Sequence, residues 1–309
     1  MRYSLTSRIR GALVGCLIGQ SLATTVAQKP LLWSKAATQG INSLLETQGR
    51  FDLDEWNKIQ QQTWNLEAPC DLVLADLILS TLPIALFFHE NNLKLRENLL
   101  LAIQKYDHPL LRDGVLAVSY LIAQSLNEKI NCNTLVSEIT AFIGETTTEL
   151  PQKLQQVNNL LIENAGLVEL QNCLSKENNI NNRLINHIAT AFYCFASNQE
   201  DFRLTCLRTI TIDKQNSQIP SAIAGAISGA YNSMAGIPIT WHLGLDQTKL
   251  VLSGELTSFS QMVKLADALV AVWSGAYQVL PKFLEKKEVD LNLISPDQAI
   301  AAPHIIRLR

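Results

Sequence analysis

"QNSQIPSAIAGAISGAYNSMAGIP", residues Gln215–Pro238, is the stretch of this chain that decides its fold. It contains no charged residue, and Ala, Gly and Ser recur along it at helical spacing. A membrane span needs about 20 predominantly apolar residues, whereas this stretch is rich in small residues and includes Asn232 and Pro220. The stretch therefore predicts a buried helix that packs closely against another helix, and not a membrane span.

Helical periodicity also dominates the rest of the chain. Gly11, Gly15 and Gly19 recur every four residues near the N-terminus and give that segment one smooth helix face. The apolar run Leu72–Phe88 predicts a central helix with a kink near Pro83, because proline cannot donate a helical hydrogen bond. Strand-like alternation is scarce, so the sequence predicts an all-α protein.

The bulk composition is that of a compact globular protein. The 309-residue chain is 47% hydrophobic and 17% charged, against a usual charged share of about 25%. A net charge of −3 gives no electrostatic footprint for nucleic acid or an anionic membrane surface. The sequence shows no linker, so it predicts a single helical-bundle domain over residues 1–309, with peripheral helices and loops in an Asn- and Gln-rich segment at about 128–184.

Cysteine usage and the N-terminal sequence bear on the cellular compartment. The six cysteines lie far apart and include no CxxC pair, which is typical of reduced, buried thiols. Gly11 and Ala12 alone separate Arg10 from the lipobox-like "LVGC" at Leu13–Cys16. A secretory signal needs about 7–15 apolar residues before its cleavage site, so the sequence predicts a cytoplasmic protein.

Three stretches of the chain resemble the ADP-ribosylglycohydrolase family. Ser7–Ala23 ("SRIRGALVGCLIGQSLA") resembles the family's opening helix, which reads G-x-x-x-G-x-x-x-G-D-A-L-G. Tyr106–Leu126 is similar to its Thr-His segment and the helix that follows. Asp201–Pro238 resembles its late segment, where G-G-D-T-D-T precedes a helix reading I-A-G-A-x-x-G-A and then I-P. The resemblance implies an all-α fold whose members remove ADP-ribose with two magnesium ions.

The positions that the resemblance aligns with the family's catalytic and metal-binding motifs carry no carboxylate in this chain. The resemblance places Asn216, Ser217 and Gln218 where the family has Asp-Thr-Asp. Gln20 stands in place of the Asp that follows the third glycine of the opening helix. The early Thr-Asp-Asp-Thr motif falls near "LLWS", Leu31–Ser34.

This loss of charge bears directly on metal binding. Two dications about 4 Å apart repel each other by roughly 16 kcal/mol at an effective dielectric constant near 20, and several carboxylates are needed to offset that repulsion. Amides keep an oxygen but supply no charge, so the sequence predicts that the dinuclear magnesium site is lost and that no cofactor is bound. The family's glycine-rich loop, which helps to hold ADP-ribose, is replaced by "LADLILST" at residues 74–81.

The former cleft has two candidate occupants, a small ligand and a side chain of the protein itself. The candidate ligand-binding residues are Gln20, Ser34, His108, Asn216, Ser217 and Gln218. His108 stands where the family has the His of its Thr-His segment, and we interpret it as a helix cap or a structural hydrogen-bonding residue. The side chain of Trp33 is the alternative occupant of the cleft.

The sequence leaves three functions open. We expect a non-catalytic member of the fold that acts as a binding, regulatory or protein-interaction module, with a protein or a small nucleotide-like ligand as its partner and no nucleic acid. The first alternative is an ADP-ribosyl hydrolase with an atypical or metal-independent site, which requires a carboxylate such as Asp71, Asp76 or Asp213 to activate water. The second is a structural or assembly protein with an exposed apolar patch.

Overall fold

The computed structural model describes residues 2–24, 31–64, 71–174, 179–213, 216–242 and 259–275. These residues form 14 α-helices and a 3-10 turn, and no strand is present among them. The all-α fold class predicted from the sequence is confirmed. The helices are α1 Leu5–Ala23, α2 Trp33–Glu46, α3 Leu53–Thr63, α4 Asp71–Ser80, α5 Leu82–Phe87, α6 Asn92–Ile103, α7 Pro109–Leu126, α8 Leu135–Ile143, α9 Leu150–Ile162, α10 Leu167–Cys173, α11 Ile180–Ala196, α12 Phe202–Ile212, α13 Gln218–Asn232 and α14 Phe259–Trp273, with the 3-10 turn at Met234–Gly236.

The centre of the molecule is a pair of helices, α1 and α13, whose backbones touch. A Cβ atom added at Gly15 would lie 2.3 Å from the carbonyl oxygen of Gly225, and one added at Gly229 would lie 2.0 Å from that of Gly11. Real Cβ atoms essentially never come within 3.0 Å of such an atom, so the helices can approach this closely because both carry glycine at the contact. The uncharged stretch around Gly225 is the buried helix that its sequence predicts.

The remaining helices pack around this pair. Helices α7, α11 and α12 pack on α13, while α14 packs on α1 and also contacts α2. The predicted central helix Leu72–Phe88 is in fact two helices, α4 and α5, with Thr81 between them. Pro83 lies in the first turn of α5, where a missing N–H removes no helical hydrogen bond. The predicted kink is therefore a break between two helices.

A buried arginine ties the start of α1 to the end of α7. Arg8 is 1% exposed and donates from Nη1 to the carbonyl oxygen of Leu126 at 2.5 Å. Its Nη2 donates to the carbonyl oxygen of Tyr3 at 3.1 Å and lies 3.3 Å from the carboxylate of Glu128. The guanidinium therefore satisfies a carbonyl group of the last turn of α7, which has no helical partner there.

The Asn- and Gln-rich segment forms α8, α9, α10 and the start of α11. On α9, Leu150, Leu154 and Val157 are completely buried, and the helix packs against α11, α8 and α10. The intervening residues Gln155 and Gln156 are exposed. Helix α9 is thus anchored by a narrow apolar face. Throughout the described part of the chain, every helix is too short or too polar to span a bilayer.

Candidate functional site

Polar side chains from three helix ends meet beside the α1–α13 pair. The indole Nε1–H of Trp33, the first residue of α2, donates to Oε1 of Gln20 in the last turn of α1 at 2.6 Å. Nε2 of Gln218, the first residue of α13, donates to Oγ1 of Thr24 at 3.1 Å. The Thr24 hydroxyl donates in turn to the carbonyl oxygen of Gln20 at 2.7 Å. We call Gln20, Thr24, Trp33 and Gln218 the pole cluster.

The indole ring of Trp33 occupies the space next to Gln20. Its side chain is 0% exposed, and Gln218 is also buried. The hydrogen bond between Trp33 and Gln20 uses the amide oxygen that a ligand of Gln20 would otherwise contact. Trp33, the side chain named from the sequence as an alternative occupant, thus packs against Gln20 in this structure.

A buried carboxyl group holds the start of α2 in place. Oδ1 of Asp76, on α4, accepts from the backbone N–H of Leu32 at 2.8 Å and from that of Trp33 at 3.0 Å. Oδ2 accepts from the indole Nε1–H of Trp64 at 3.4 Å. Leu32, the residue that precedes α2, makes no capping bond with its own side chain. Asp76 therefore satisfies N–H groups at the helix start that would otherwise lack partners.

The environment of Asp76 opposes its charge. The residue is 3% exposed, and burial raises the pKa of its carboxyl group from 3.8 to about 7. The bonds from Leu32, Trp33 and Trp64 act in the opposite direction, because they stabilise the carboxylate, but the effect of burial is larger. Asp76 is thus a group whose protonation changes near neutral pH.

The residues just before α13 differ in their surroundings. Ser217 is 0% exposed, and its hydroxyl has no hydrogen-bond partner among the residues that the structure describes. Asn216 is exposed, and both its backbone N–H and its Nδ2 donate to the carboxylate of Asp213, at 3.2 and 2.8 Å. The turn at Asn216 is therefore held by a local bond to Asp213, while Ser217 faces the interior.

The other two candidate residues lie on α2 and α7. Ser34 is half-buried in the first turn of α2, directly after Trp33. His108 precedes α7, and its Nδ1 accepts from the backbone N–H of Leu111 at 3.2 Å, so it is the N-cap of that helix. The structure thus brings Gln20 and Gln218 into one hydrogen-bonded cluster and places Ser34 beside Trp33, whereas His108 bonds to its own helix.

The carboxylates considered for a metal-independent hydrolase are in three different situations. Asp76 is buried and accepts three N–H donors. Asp213 is exposed and accepts from Asn216. The side chain of Asp71 lies outside the described residues. Asp76 is therefore the acid that the structure connects to the pole cluster, through Trp33.

The segment that the sequence resemblance aligns with the family's glycine-rich loop is helical. Residues 74–80 belong to α4, and Thr81 follows it. Leu74, Ala75, Leu77 and Ile78 are each at most 1% exposed. Their side chains fill the core between α4 and its neighbours, which include α2 and α7. This segment therefore presents apolar side chains to the interior and not an open backbone loop to a ligand.

The described side chains at this end of the α1–α13 pair do not fit a pair of magnesium ions. Gln20, Thr24, Ser34, Ser217 and Gln218 are polar but carry no charge. Over the described ranges of the chain, no group of three or more His, Cys, Asp or Glu side chains could hold a metal ion. Asp76 has both oxygens engaged by protein N–H donors. Hard dications require several anionic oxygen ligands, and this donor set does not supply them.

Sequence reasoning named Asp76 as a candidate acid but did not predict its role as the cap of α2. It also did not identify Trp64 or Thr24 as members of this region. The contact between Trp33 and Asp76 joins residues 43 apart, and that between Gln218 and Thr24 joins residues 194 apart. The signal available in the sequence is an acid within an otherwise apolar helix, which needs hydrogen-bond donors from elsewhere in the fold.

Comparisons with known proteins agree with this fold. A model of the family described as ADP-ribosylglycohydrolase matches residues 57–278. A solved structure described as an ADP-ribosylglycohydrolase-related protein complex superposes with a TM-score of 0.56 and 16% sequence identity, covering 86% of this chain and 97% of that one. A comparison with curated proteins found no match. The family model spans well over half of the sequence, and the chain therefore belongs to the ADP-ribosylglycohydrolase family.

Proposed function

We propose that this chain is a non-catalytic member of its family that acts as a binding or regulatory module. The observation that carries the proposal is the hydrogen bond of 2.6 Å from the Trp33 indole to Gln20. It joins an amide and an aromatic ring at positions where the family resemblance implies carboxylates. The proposal is one about chemistry, because membership of a fold family does not by itself determine activity.

Electrostatics supports the proposal. In a two-metal hydrolase the ions generate the attacking water and stabilise the leaving group. Gln20 and Gln218 can donate or accept a hydrogen bond, but neither offsets the repulsion between two dications. Asp76 adds one ionisable group, and its oxygens already accept from Leu32, Trp33 and Trp64. A single engaged carboxyl group does not replace the set of anionic ligands that such a site requires.

The helical conformation of residues 74–80 in α4 supports the proposal independently. The segment that would help to hold ADP-ribose is a helix whose apolar side chains, such as Leu74 and Leu77, lie in the core. A backbone in a helix has most of its N–H groups engaged in i to i−4 bonds, so it has few left for a phosphate or a ribose. This reduces the contacts available to the family's usual ligand.

The neutral pole cluster is suited to a ligand that needs hydrogen bonds but no metal. The buried hydroxyl of Ser217 lacks a partner among the described residues, and the amides of Gln20 and Gln218 lie at the same end of the α1–α13 pair. A small nucleotide-like molecule that bonds to Oε1 of Gln20 would compete with the indole of Trp33 for that oxygen. A protein partner would instead use the outer surface and leave the cluster closed.

Calorimetry with ADP-ribose, with and without Mg²⁺, tests the proposal together with a hydrolysis assay on an ADP-ribosylated substrate. We expect no hydrolysis in either condition, and any binding heat to be the same with Mg²⁺ and with EDTA. Trp33→Phe, which keeps the ring volume nearly filled but removes the N–H donor to Gln20, is the matched variant for binding. Mg²⁺-dependent binding or turnover would contradict the proposal.

Asp76 gives the metal-independent hydrolase a specific test in the same experiment. It is the ionisable acid nearest to the pole cluster along the hydrogen-bond network, through its bond to the Trp33 backbone. Hydrolysis that persists in EDTA and is abolished by Asp76→Asn would support that alternative. We expect the wild type and Asp76→Asn to be equally inactive, because Asp76 is only 3% exposed in this conformation.

A further inference from the structure

The carboxyl group of Asp76 forms hydrogen bonds with two buried tryptophans, Trp33 and Trp64. It binds the backbone of Trp33 at 3.0 Å and the indole of Trp64 at 3.4 Å, and both tryptophans are at most 5% exposed. Across the described ranges no cation pairs with Asp76, and its three partners are all N–H donors. A buried carboxylate without a counter-ion is an energetically costly group in a protein interior.

The cost of this charge differs between the closed structure and any state in which α2 moves away from α4. In the closed structure Asp76 is almost fully shielded from water. If the start of α2 separates from α4, water solvates the carboxylate and its ordinary acidity returns. The open state therefore binds the proton more weakly than the closed state does. By thermodynamic linkage, losing the proton must shift the equilibrium toward the open state.

We propose that Asp76 acts as a proton-controlled latch. When its carboxyl group is neutral, Trp33 and Trp64 stay packed around it, and its deprotonation favours local opening of the start of α2. The movable part is the first turn of α2, which bonds to Asp76 through Leu32 and Trp33. Opening would free Oε1 of Gln20, a half-buried residue, from the indole that donates to it.

The other titratable groups near α4 do not account for such a response. Cys16 on α1 interacts electrostatically with Asp76, and burial raises the pKa of its thiol well above the ordinary value, so it stays neutral. On α11, burial lowers the pKa of His187 to about 4. On α7, Asp113 is paired with Arg112 at 2.8 Å. Lys35, in the first turn of α2, is half-buried.

The inference rests on the proposed function in one respect, since it concerns access to the same cluster. Its test needs no ligand, so the two can fail separately. The probe is hydrogen exchange of the intact chain, followed by mass spectrometry on a peptide that contains Leu32 and Trp33. The protection factor, corrected for the intrinsic exchange rate at each pH, gives the opening constant of this segment.

The expected result is a protection factor that falls by up to about tenfold per pH unit between about pH 4 and pH 7 and then levels off, as linkage to one proton requires. A peptide from the middle of α13 reports global unfolding, to which His89 and His187 also contribute, so its pH profile should differ from that of the α2 peptide. In Asp76→Asn, where the amide oxygen can still accept from Leu32 and Trp33, protection of the α2 peptide should be independent of pH.

Two results would overturn the latch. The first is wild-type protection at the start of α2 that does not vary with pH, or a pH profile that coincides with that of α13, which would indicate global unfolding. The second is an unchanged pH dependence in Asp76→Asn. Should that variant fold poorly, Trp64→Phe is the deciding variant, because it removes an N–H donor from the carboxylate. The pH at which the protection factor stops falling should then be higher than in the wild type. An unchanged profile would refute the role of Asp76.

Discussion

The contact between α1 and α13 depends on glycines such as Gly15, which have no side chain to separate the two backbones. An added Cβ atom would lie 2.3 Å from the carbonyl oxygen of Gly225 and 3.0 Å from the ring of Phe202. The backbone of α13 cannot yield locally, so the two helices would have to separate along their length. Because the interior is closely packed, one added methyl group would strain the contact along both helices.

We therefore expect Gly15→Ala to lower the free energy of unfolding by about 3 kcal/mol, at the upper end of typical overpacking costs. Gly114→Ala is the matched control, because it is also a helical glycine but its Cβ would meet the movable methyl groups of Ile78 and Ile188, at 2.7 and 3.0 Å. Urea denaturation of both variants measures the difference. Equal losses would show that the α1–α13 contact is not the tightest constraint at these positions.

Two arginines on α1 illustrate what a charge contributes to joining helices. Arg8 is buried and serves the last turn of α7. Arg10, half a turn further on, forms a two-point ion pair with Asp267 of α14 at 2.6 and 2.7 Å, with side-chain exposures of 31% and 41%. Burial is the main difference between them, and it determines how costly a lost partner is.

Replacing each arginine by leucine tests that difference. Arg8→Leu leaves the carbonyl of Leu126 without its donor and should cost about 3 kcal/mol. Arg10→Leu should cost at most about 1 kcal/mol, because its pair is partly exposed and screened by water and salt. Chemical denaturation of the two variants in parallel gives both values. A loss for Arg10→Leu as large as that for Arg8→Leu would mean that the α1–α14 contact is held mainly by its ion pair.

The elements show which parts of the structure were predictable from the sequence. Helix α13 was, because the lack of charge and the spacing of small residues up to Pro238 determine a buried helix locally. The break before Pro83 was predicted as a kink, because a proline pattern does not reveal whether the chain bends or stops. The bond from Gln218 to Thr24 joins residues 194 apart, and tertiary packing alone creates it.

At the scale of the whole molecule, buried titratable groups determine how stability changes with pH. His89 is 2% exposed, its Nδ1 bonds to the carbonyl oxygen of Leu86 at 2.8 Å, and burial lowers its pKa from 6.5 to about 4. The unfolded chain binds this proton near pH 6.5, but the folded chain does so only near pH 4. Stability contributed by the neutral histidine is therefore lost as the pH falls through this range.

Replacing the histidine by asparagine, which keeps a donor for Leu86, should remove this loss. Between pH 6.5 and pH 4 the wild type should lose about 3 kcal/mol more than His89→Asn, as follows from a pKa difference of roughly 2.5 units. Denaturation at several pH values checks this. Parallel profiles would place the acid sensitivity elsewhere, for example at His187, whose pKa burial lowers in the same direction.

The glycine contacts between α1 and α13 have a further consequence for how such a protein can change over evolutionary time. The contact between Gly19 and Ser221 is the glycine contact nearest to the pole cluster. Gln20 and Gln218 lie just beyond it along α1 and α13. The glycines that hold the two backbones together are therefore separate from the polar residues beside them. Substitutions at Gln20 or Gln218 can change the chemistry of that end without touching the helix contact.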